Sequence, residues 1–149
     1  MNTGSPEKRI VPCPSCASLN RVPTIVTSEP KCGKCSTALD VKSNVFEVAG
    51  AALSKIVLNS PLPVVCDFWA PWCGPCLAFA PTFQQYAGQH NTQAIFLKCD
   101  TEANGDVGAT FNIRSIPTLI VFANEKEKVR QSGALPLPQL NQWLQPHLA

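Results

Sequence analysis

Two thiols set where an apolar strand turns into a helix restrict this chain more than any other feature. Leu62-Pro63-Val64-Val65-Cys66-Asp67-Phe68-Trp69 is an apolar run of buried-strand length, and Leu77 to Gln89 reads as a helix starting at the second thiol of Trp72-Cys73-Gly74-Pro75-Cys76. A C-x-x-C pair can cycle between dithiol and disulfide, or it can be a structural pair or half of a metal site. The strand-to-helix placement favours exchange. The unpaired amides and positive dipole end of a helix stabilise an anion, which makes Cys73 the expected nucleophile. Cys76, one turn further in, is expected to be more buried and less ionised, suited to attack the mixed disulfide that Cys73 forms.

Asp67 interrupts the same strand with a carboxylate. If buried, it loses solvation, its pKa rises, and it becomes able to accept the proton of Cys76 as that thiol attacks, through a water. The alternative is a strand-end carboxylate that has reached solvent.

The stretch Asp67-Phe68-Trp69-Ala70-Pro71-Trp72-Cys73-Gly74-Pro75-Cys76 resembles the active-site segment of the thioredoxin family. Pro81 matches the proline that kinks the family's redox helix, Ile113-Arg114-Ser115-Ile116-Pro117-Thr118 its second substrate-facing loop, and Ser132-Gly133-Ala134 its third. The resemblance covers about residues 44 to 149. It implies an α/β thioredoxin fold, a central mixed sheet flanked by helices, and protein-disulfide reductase activity through Cys73 and Cys76 with Asp67 assisting proton transfer. It further implies that Pro117 is cis and faces the disulfide, and that the backbone of Ile116 pairs with an extended substrate segment, a form of strand addition that reads backbone more than side chain. Trp72, Gly74, Pro75, Ile116, Gly133 and Ala134 then form the substrate-contacting surface. Disulfide-containing proteins are the implied substrates and an NADPH-dependent thioredoxin reductase the implied electron donor, with no bound organic cofactor. Three departures stand out: Phe96 occupies the place where many thioredoxins carry a lysine near the aspartate, the turn Asn124-Glu125-Lys126 lacks the usual glycine, and Cys66 and Cys99 replace commoner aliphatics. The last two read as small buried hydrophobes, with redox sensing as the alternative. His90 and His147, near predicted helix ends, read as surface or capping residues.

The remaining cysteines divide the chain. Cys13-x-x-Cys16 and Cys32-x-x-Cys35 are separated by 15 residues, within the spacing of a four-thiolate zinc site. Pro12-Cys13-Pro14-Ser15-Cys16 and Cys32-Gly33-Lys34-Cys35 supply the proline and glycine that tight knuckles use. Residues 1–41 contain no Phe, Trp or Tyr. Zinc is therefore expected to serve as the core of a small zinc-ribbon-like module, its binding free energy of roughly 10–16 kcal/mol offsetting the missing apolar burial. Iron in the same geometry and two structural disulfides are the alternatives. Residues 42–149 form the second domain. The pairing of this module with the Trp-Cys-Gly-Pro-Cys segment, and Asn20-Arg21-Val22-Pro23 after the first knuckle, resemble the zinc-binding bacterial thioredoxins of the thioredoxin-2 type.

The first twelve residues lack an apolar signal-peptide core, and no stretch is long enough to span a membrane, so a cytoplasmic protein without membrane contact is expected. A monomer is the expected state, though nothing in the residues fixes it. In that compartment a thiolate cluster holds metal rather than disulfides. Five of the 12 Lys/Arg and three of the 10 Asp/Glu fall in residues 1–41, an excess of +2 that four thiolates and one Zn²⁺, together −2, cancel. No basic patch interleaved with aromatics remains to suggest nucleic acid. Strands are expected at 45–48, 64–69, 94–99, 118–123 and, antiparallel at the edge, 126–132. Helices are expected at 51–59, 101–111 with Thr101 as its cap, and 138–148, with no internal repeat. Two other functional classes fit the same residues: a zinc-module adapter with the second domain as scaffold, and a sensor whose module thiolates form disulfides and eject zinc under oxidant.

Overall fold

The computed structural model describes residues 7–149. Residues 1–6 of the expected module, and the part of the signal-peptide argument that rests on them, lie outside the described residues. Strands β1 (Lys8–Pro12) and β2 (Leu19–Pro23) form an antiparallel hairpin that periodicity had not indicated, registered from Lys8 opposite Pro23 to Pro12 opposite Leu19. The chain continues through β3 (Val45–Glu47), α1 (Gly50–Asn59), β4 (Val64–Trp69), α2 (Gly74–Gln89), β5 (Ile95–Asp100), α3 (Val107–Thr110), β6 (Thr118–Ala123), β7 (Lys126–Ser132) and α4 (Leu137–Leu144), ending in a 3₁₀ turn, Gln145–His147. A five-stranded sheet takes the order β3-β5-β4-β6-β7. Its first three strands run parallel, and β6 and β7 pair antiparallel beyond them. This is the mixed thioredoxin-type α/β sheet.

Buried on both faces, β4 and β6 read as apolar runs rather than alternating ones, β4 broken only by Asp67. On one face Val65, Phe96, Leu119 and Val121 pack with Phe79, Phe83 and Tyr86 of α2 and Leu140 and Leu144 of α4. On the other, Cys66, Phe68, Leu97, Cys99 and Ile120 pack with Leu53 and Ile56 of α1. That second cluster continues without a break into Ile10, Val11, Val22 and Leu39. The N-terminal segment thus borrows its apolar core from the sheet.

Two cations fasten it there. Arg9, 6% exposed, donates from Nη2 to the Ser43 carbonyl at 2.7 Å and lies 5.4 Å from the centroid of the Phe46 ring. Lys55 of α1 donates to the carbonyl of Cys16 at 2.6 Å, tying the first knuckle to the helix beneath it. Both bonds take a buried or half-buried charge to a backbone oxygen that would otherwise lack a partner.

Three elements differ from expectation. Helix α2 begins at Gly74, three residues before the expected start at Leu77, because Gly74-Pro75 fits the first helical turn, where the missing proline N–H costs nothing. The helix expected over 101–111 shrinks to Val107–Thr110. Asp100 Oδ1 captures the N–H groups of Glu102 and Ala103, and the Thr101 hydroxyl, instead of capping, donates to the Trp69 carbonyl. An internal repeat is also present: Ala17 N–H bonds the Cys13 carbonyl at 3.0 Å and Ser36 N–H the Cys32 carbonyl at 2.9 Å, while Ala17 and Ser36 share left-handed φ values of 60° and 65°. Cys13-Pro-Ser-Cys-Ala-Ser and Cys32-Gly-Lys-Cys-Ser-Thr are two copies of one knuckle.

In the β6–β7 hairpin the two loop residues Asn124 and Glu125 have φ of 53° and 68°, the paired left-handed conformation of a tight two-residue turn. Glutamate tolerates this poorly. Glu125→Gly is expected to raise stability by about 0.5–1 kcal/mol. A urea midpoint that stays put or falls would refute the assignment of strain to this residue.

Candidate functional site

Cys73 is the N-cap of α2, in extended conformation, and its Sγ accepts the N–H of Cys76 at 3.2 Å. A disulfide joins the two residues, with Cα atoms 5.2 Å apart. Cap geometry of this kind aims an unsatisfied helical N–H at the sulfur, the physical condition for a stabilised thiolate when the bond is reduced. Both sulfurs are nearly enclosed, and they pack with Ala70, Trp69 and Ile116. Trp72 beside them is 70% exposed.

Three loops distant in sequence meet here. The Ile116–Pro117 peptide is cis, and the Ile116 carbonyl oxygen lies 3.9 Å from Cys73 Sγ. Thr118 donates its hydroxyl to the Ser115 carbonyl at 2.6 Å, fixing the start of β6. Gly133, with φ of +93°, donates its N–H to the Pro117 carbonyl at 2.8 Å, which brings the exposed Gly133-Ala134 loop alongside. A cavity of about 490 Å³ borders the disulfide; Trp72, Gly74, Pro75 and Ile116 line it together with Arg114 of the second substrate-facing loop and Thr101, which the sequence offered only as a helix cap. The arrangement offers an attackable sulfur, a carbonyl edge beside it and an apolar shelf.

Asp67 faces the α2 side of the sheet, in register with Lys98 of β5 and Leu119 of β6. It is 3% exposed, and its Oδ1 has no hydrogen-bond partner among the described residues. Burial pushes its carboxyl up to about 7, against the opposing pull of the Lys98 charge. Cys66 and Cys99 on the other face are fully buried; burial pushes the Cys66 thiol well up and the Cys99 thiol to about 11, so both behave as small apolar residues. His90 caps the C-terminus of α2 and bonds Gln93 through Nδ1 at 2.7 Å, a structural role.

Cys13, Cys16, Cys32 and Cys35 form a second, separate cluster, their four sulfurs all within 4.8 Å of one another. The close pairs run across the knuckles, Cys13 to Cys35 at 3.5 Å and Cys16 to Cys32 at 3.7 Å. Four sulfurs at about 2.3 Å from a tetrahedral Zn²⁺ stand about 3.8 Å apart, so the donor set and its spacing fit that ion. Backbone N–H groups of Ser15 and Lys34 point at the Cys13 and Cys32 sulfurs at 3.4 Å. Hydrogen bonds from Ser18 pull the Cys16 thiol down to about 6, and the N–H groups of Lys34 and Cys35 lower Cys32, whereas burial raises Cys13. The hydroxyls of Ser18 and Thr37 stand 3.2 and 3.1 Å from the second sulfur of their respective knuckles. Their recurrence two residues after each knuckle is a sequence signal that the cysteine spacing alone did not use.

Comparison with known proteins adds the ancestry. The family model described as Thioredoxin matches residues 44–146. Thioredoxin C-3 of Corynebacterium nephridii is 45% identical over 140 residues, which cover 93% of this chain and 95% of that protein. Thioredoxin of Haemophilus influenzae is 37% identical over 106 residues and Thioredoxin 1 of Nostoc sp. 39% over 106, each alignment covering 71% of this chain and 99% of the relative. No helix among the described residues is long and apolar enough to cross a membrane.

The buried carboxyl makes stability depend on pH with a definite sign. Because the folded state holds the Asp67 proton up to about pH 7 while an unfolded carboxyl releases it near pH 4, stability is greatest at low pH and is lost as pH rises between the two values. Three pH units at about 1.4 kcal/mol each bound the loss at about 4 kcal/mol. Asp67→Asn is therefore expected to be the more stable protein at pH 8. Urea unfolding of the oxidised proteins across pH 4–8 checks this, and parallel stability curves would exclude a buried, proton-holding Asp67.

Proposed function

The chain belongs to the thioredoxin family and is a thiol–disulfide oxidoreductase; on that premise we propose a protein-disulfide reductase whose reacting groups are Cys73 and Cys76. The observation that carries the assignment of roles is the Cys73 sulfur at the head of α2, with the Ile116 carbonyl 3.9 Å away. Reduced Cys73, as thiolate, attacks one sulfur of a substrate disulfide; that bond breaks and the first substrate thiolate leaves with the electron pair. Cys76 then gives its proton to Asp67, and its thiolate attacks Cys73 Sγ. The mixed disulfide breaks, the second substrate thiolate departs, and the Cys73–Cys76 disulfide remains. Two electrons have passed to the substrate. An NADPH-dependent thioredoxin reductase returns them.

Substrate recognition follows from the same surface. Trp72, Gly74, Pro75, Ile116, cis-Pro117, Gly133 and Ala134 surround the sulfurs with backbone edges and apolar area, and Arg114 is the one charged side chain lining the adjoining cavity. Such a surface accepts an extended segment through its main chain and places few demands on its side chains. Broad choice among disulfide-containing proteins is the consequence.

The four N-terminal cysteines hold one Zn²⁺ in this reading, and residues 1–41 and 42–149 are separate functional units. The ion, when bound, supplies cross-linking between the two knuckles and takes no part in exchange; Cys13, Cys16, Cys32 and Cys35 fill a tetrahedral set and leave no open position. The protein acts as a monomer in the cytoplasm.

Reduction of a disulfide-containing protein with NADPH and thioredoxin reductase tests the assignment. Wild type and Cys32→Ser are expected to turn over, the latter at most a few-fold slower, while Cys73→Ser falls by several orders of magnitude. Activity retained by Cys73→Ser, or lost equally in Cys32→Ser that is otherwise folded, would defeat the division of labour. Metal analysis is expected to find one zinc per chain in wild type and less in Cys32→Ser. Visible thiolate-to-iron absorption in the purified wild type would replace zinc by iron.

A further inference from the structure

Strand β7, at the edge of the sheet, carries an arginine that bonds a segment outside the sheet. Three residues apart on a regular strand, Glu127 and Arg130 would leave opposite faces. The pairing of β6 with β7 shifts register between Val121 and Phe122, Lys128 is left without a partner, and the extra residue reverses the alternation. Glu127 then stands opposite Phe122 and Arg130 opposite Ile120, two residues of β6 that share a face and a cluster with Phe68. Phe111, at the end of α3, packs on that face, its ring centroid 5.8 Å from that of Phe122 and 5.5 Å from that of Phe68. The two charges meet beside it: Arg130 donates from Nε and Nη2 to the two carboxylate oxygens of Glu127, each at 2.6 Å.

The remaining donors of the guanidinium distinguish it from a surface ion pair. Helix α3 ends in a left-handed residue, Asn112 with φ of 53°, and the N–H groups of Asn112 and Ile113 turn back to the carbonyls of Ala109 and Gly108 at 3.3 and 2.8 Å. This cap satisfies inner carbonyls of the helix and leaves those of Phe111 and Asn112 to find partners elsewhere. Arg130 supplies both, Nη2 donating to the Phe111 carbonyl at 2.8 Å and Nη1 to the Asn112 carbonyl at 3.0 Å. Four of the five N–H groups of the guanidinium are thereby used, and positive charge sits at the negative end of the helix. With the Arg130 and Glu127 side chains 32% and 37% exposed, their Coulomb attraction adds little stability by itself; its effect is to hold the planar fork in one orientation.

The chain that leaves this cap is the loop of residues 113–117, whose Ile116 carbonyl lies 3.9 Å from Cys73 Sγ. It ends at Pro117, whose carbonyl accepts the N–H of Gly133, three residues after Arg130. One stretch of chain therefore grips the loop at both ends, at its entry by a side chain and at its exit by a backbone amide. We propose that Arg130, held by Glu127, is a positioning residue for substrate recognition: by capping α3 it fixes the entry of the 113–117 loop, so that the Ile116 backbone stands in place at the disulfide before a protein segment arrives. The inference rests on the proposed reductase activity, with Ile116 as the edge that pairs with substrate. A loop ordered in advance does not have to be ordered on binding, and that cost falls only on substrates long enough to use the loop. Attack at the sulfurs themselves is governed by Cys73 at the head of α2, which Arg130 does not touch.

Two measurements on the full-length protein test this. Amide hydrogen exchange of the oxidised protein follows the cap. Rapid mixing of the pre-reduced protein follows disulfide reduction, with insulin as the protein disulfide and neutral 2-hydroxyethyl disulfide as one too small to reach along the loop. Arg130→Met is expected to speed amide exchange at Asn112 and Ile113 by about tenfold while Leu97 and Leu119 in the central strands stay protected. It is expected to lower the second-order rate constant for insulin by about fivefold and to leave that for the small disulfide within about twofold. Arg130→Lys, which serves one carbonyl at a time, is expected to recover part of both losses, and adding Glu127→Ala to Arg130→Met should change nothing further. Unchanged amide exchange at Asn112 and Ile113 in Arg130→Met overturns the inference, and so do rate constants that fall equally for the two disulfides or for neither. A wild type that reduces neither disulfide overturns the reductase reading instead, and the recognition role falls with it while amide exchange still reports the cap.

Discussion

The junction at which β4 passes the chain to α2 is the constraint from which the rest of this structure follows. A strand buried on both faces ends at Trp69, and five residues later a helix begins whose first N–H groups have no helical partner. Placing Cys73 at that cap gives its sulfur a donor and the positive end of a dipole, and the helical rise then brings Cys76 inward by one turn. The sheet must be closed above and below for the junction to stay rigid. The aromatic layer of Phe79, Phe83, Tyr86 and Phe96 closes one face, and α1 with the N-terminal hairpin closes the other.

That second closure joins the two halves of the molecule. Ile10, Val11, Val22 and Leu39 share one apolar cluster with Leu53, Ile56 and Phe68, while Arg9 and Lys55 bond backbone carbonyls across the boundary. Charged groups can be used there because each meets an oxygen or an aromatic ring rather than empty apolar volume. The four sulfurs provide the local order that the short hairpin lacks, and the sheet provides the burial. Neither contribution alone accounts for the segment: the apolar residues are too few to form a core by themselves, and a metal site leaves one face of the hairpin uncovered.

Much of this was legible in the residues. Strands β4, β6 and β7 and helix α1 appear where apolar runs and turn residues suggest, because burial on a two-sided sheet enforces those patterns. The helix expected after Thr101 failed for a local reason with a side-chain cause. Asp100 competes for the first amides, and Asn104-Gly105 interrupts what remains. The duplicated knuckles went unread because their likeness lies in backbone conformation and a trailing hydroxyl, with only the cysteines in common. Lys98 was invisible for a different reason: its neighbour across the sheet stands 31 positions away, and nothing between them in the chain predicts the pairing.

The sequence by itself singled out the groups proposed to carry chemistry. The spacing of Cys73 from Cys76, and of each cysteine pair in the two knuckles, is short enough that covalent geometry and turn preference nearly dictate the local shape. Only the tertiary structure decided what surrounds those groups: that Ile116 and Gly133 come to the disulfide, that the hairpin rests on α1, and that the cation facing Asp67 stands at position 98 rather than 96. The physical reason is range. Interactions within a turn are limited by the chain's own few dihedral angles, whereas contacts between strands and loops dozens of residues apart are selected by which packing buries the most apolar surface with every polar group partnered.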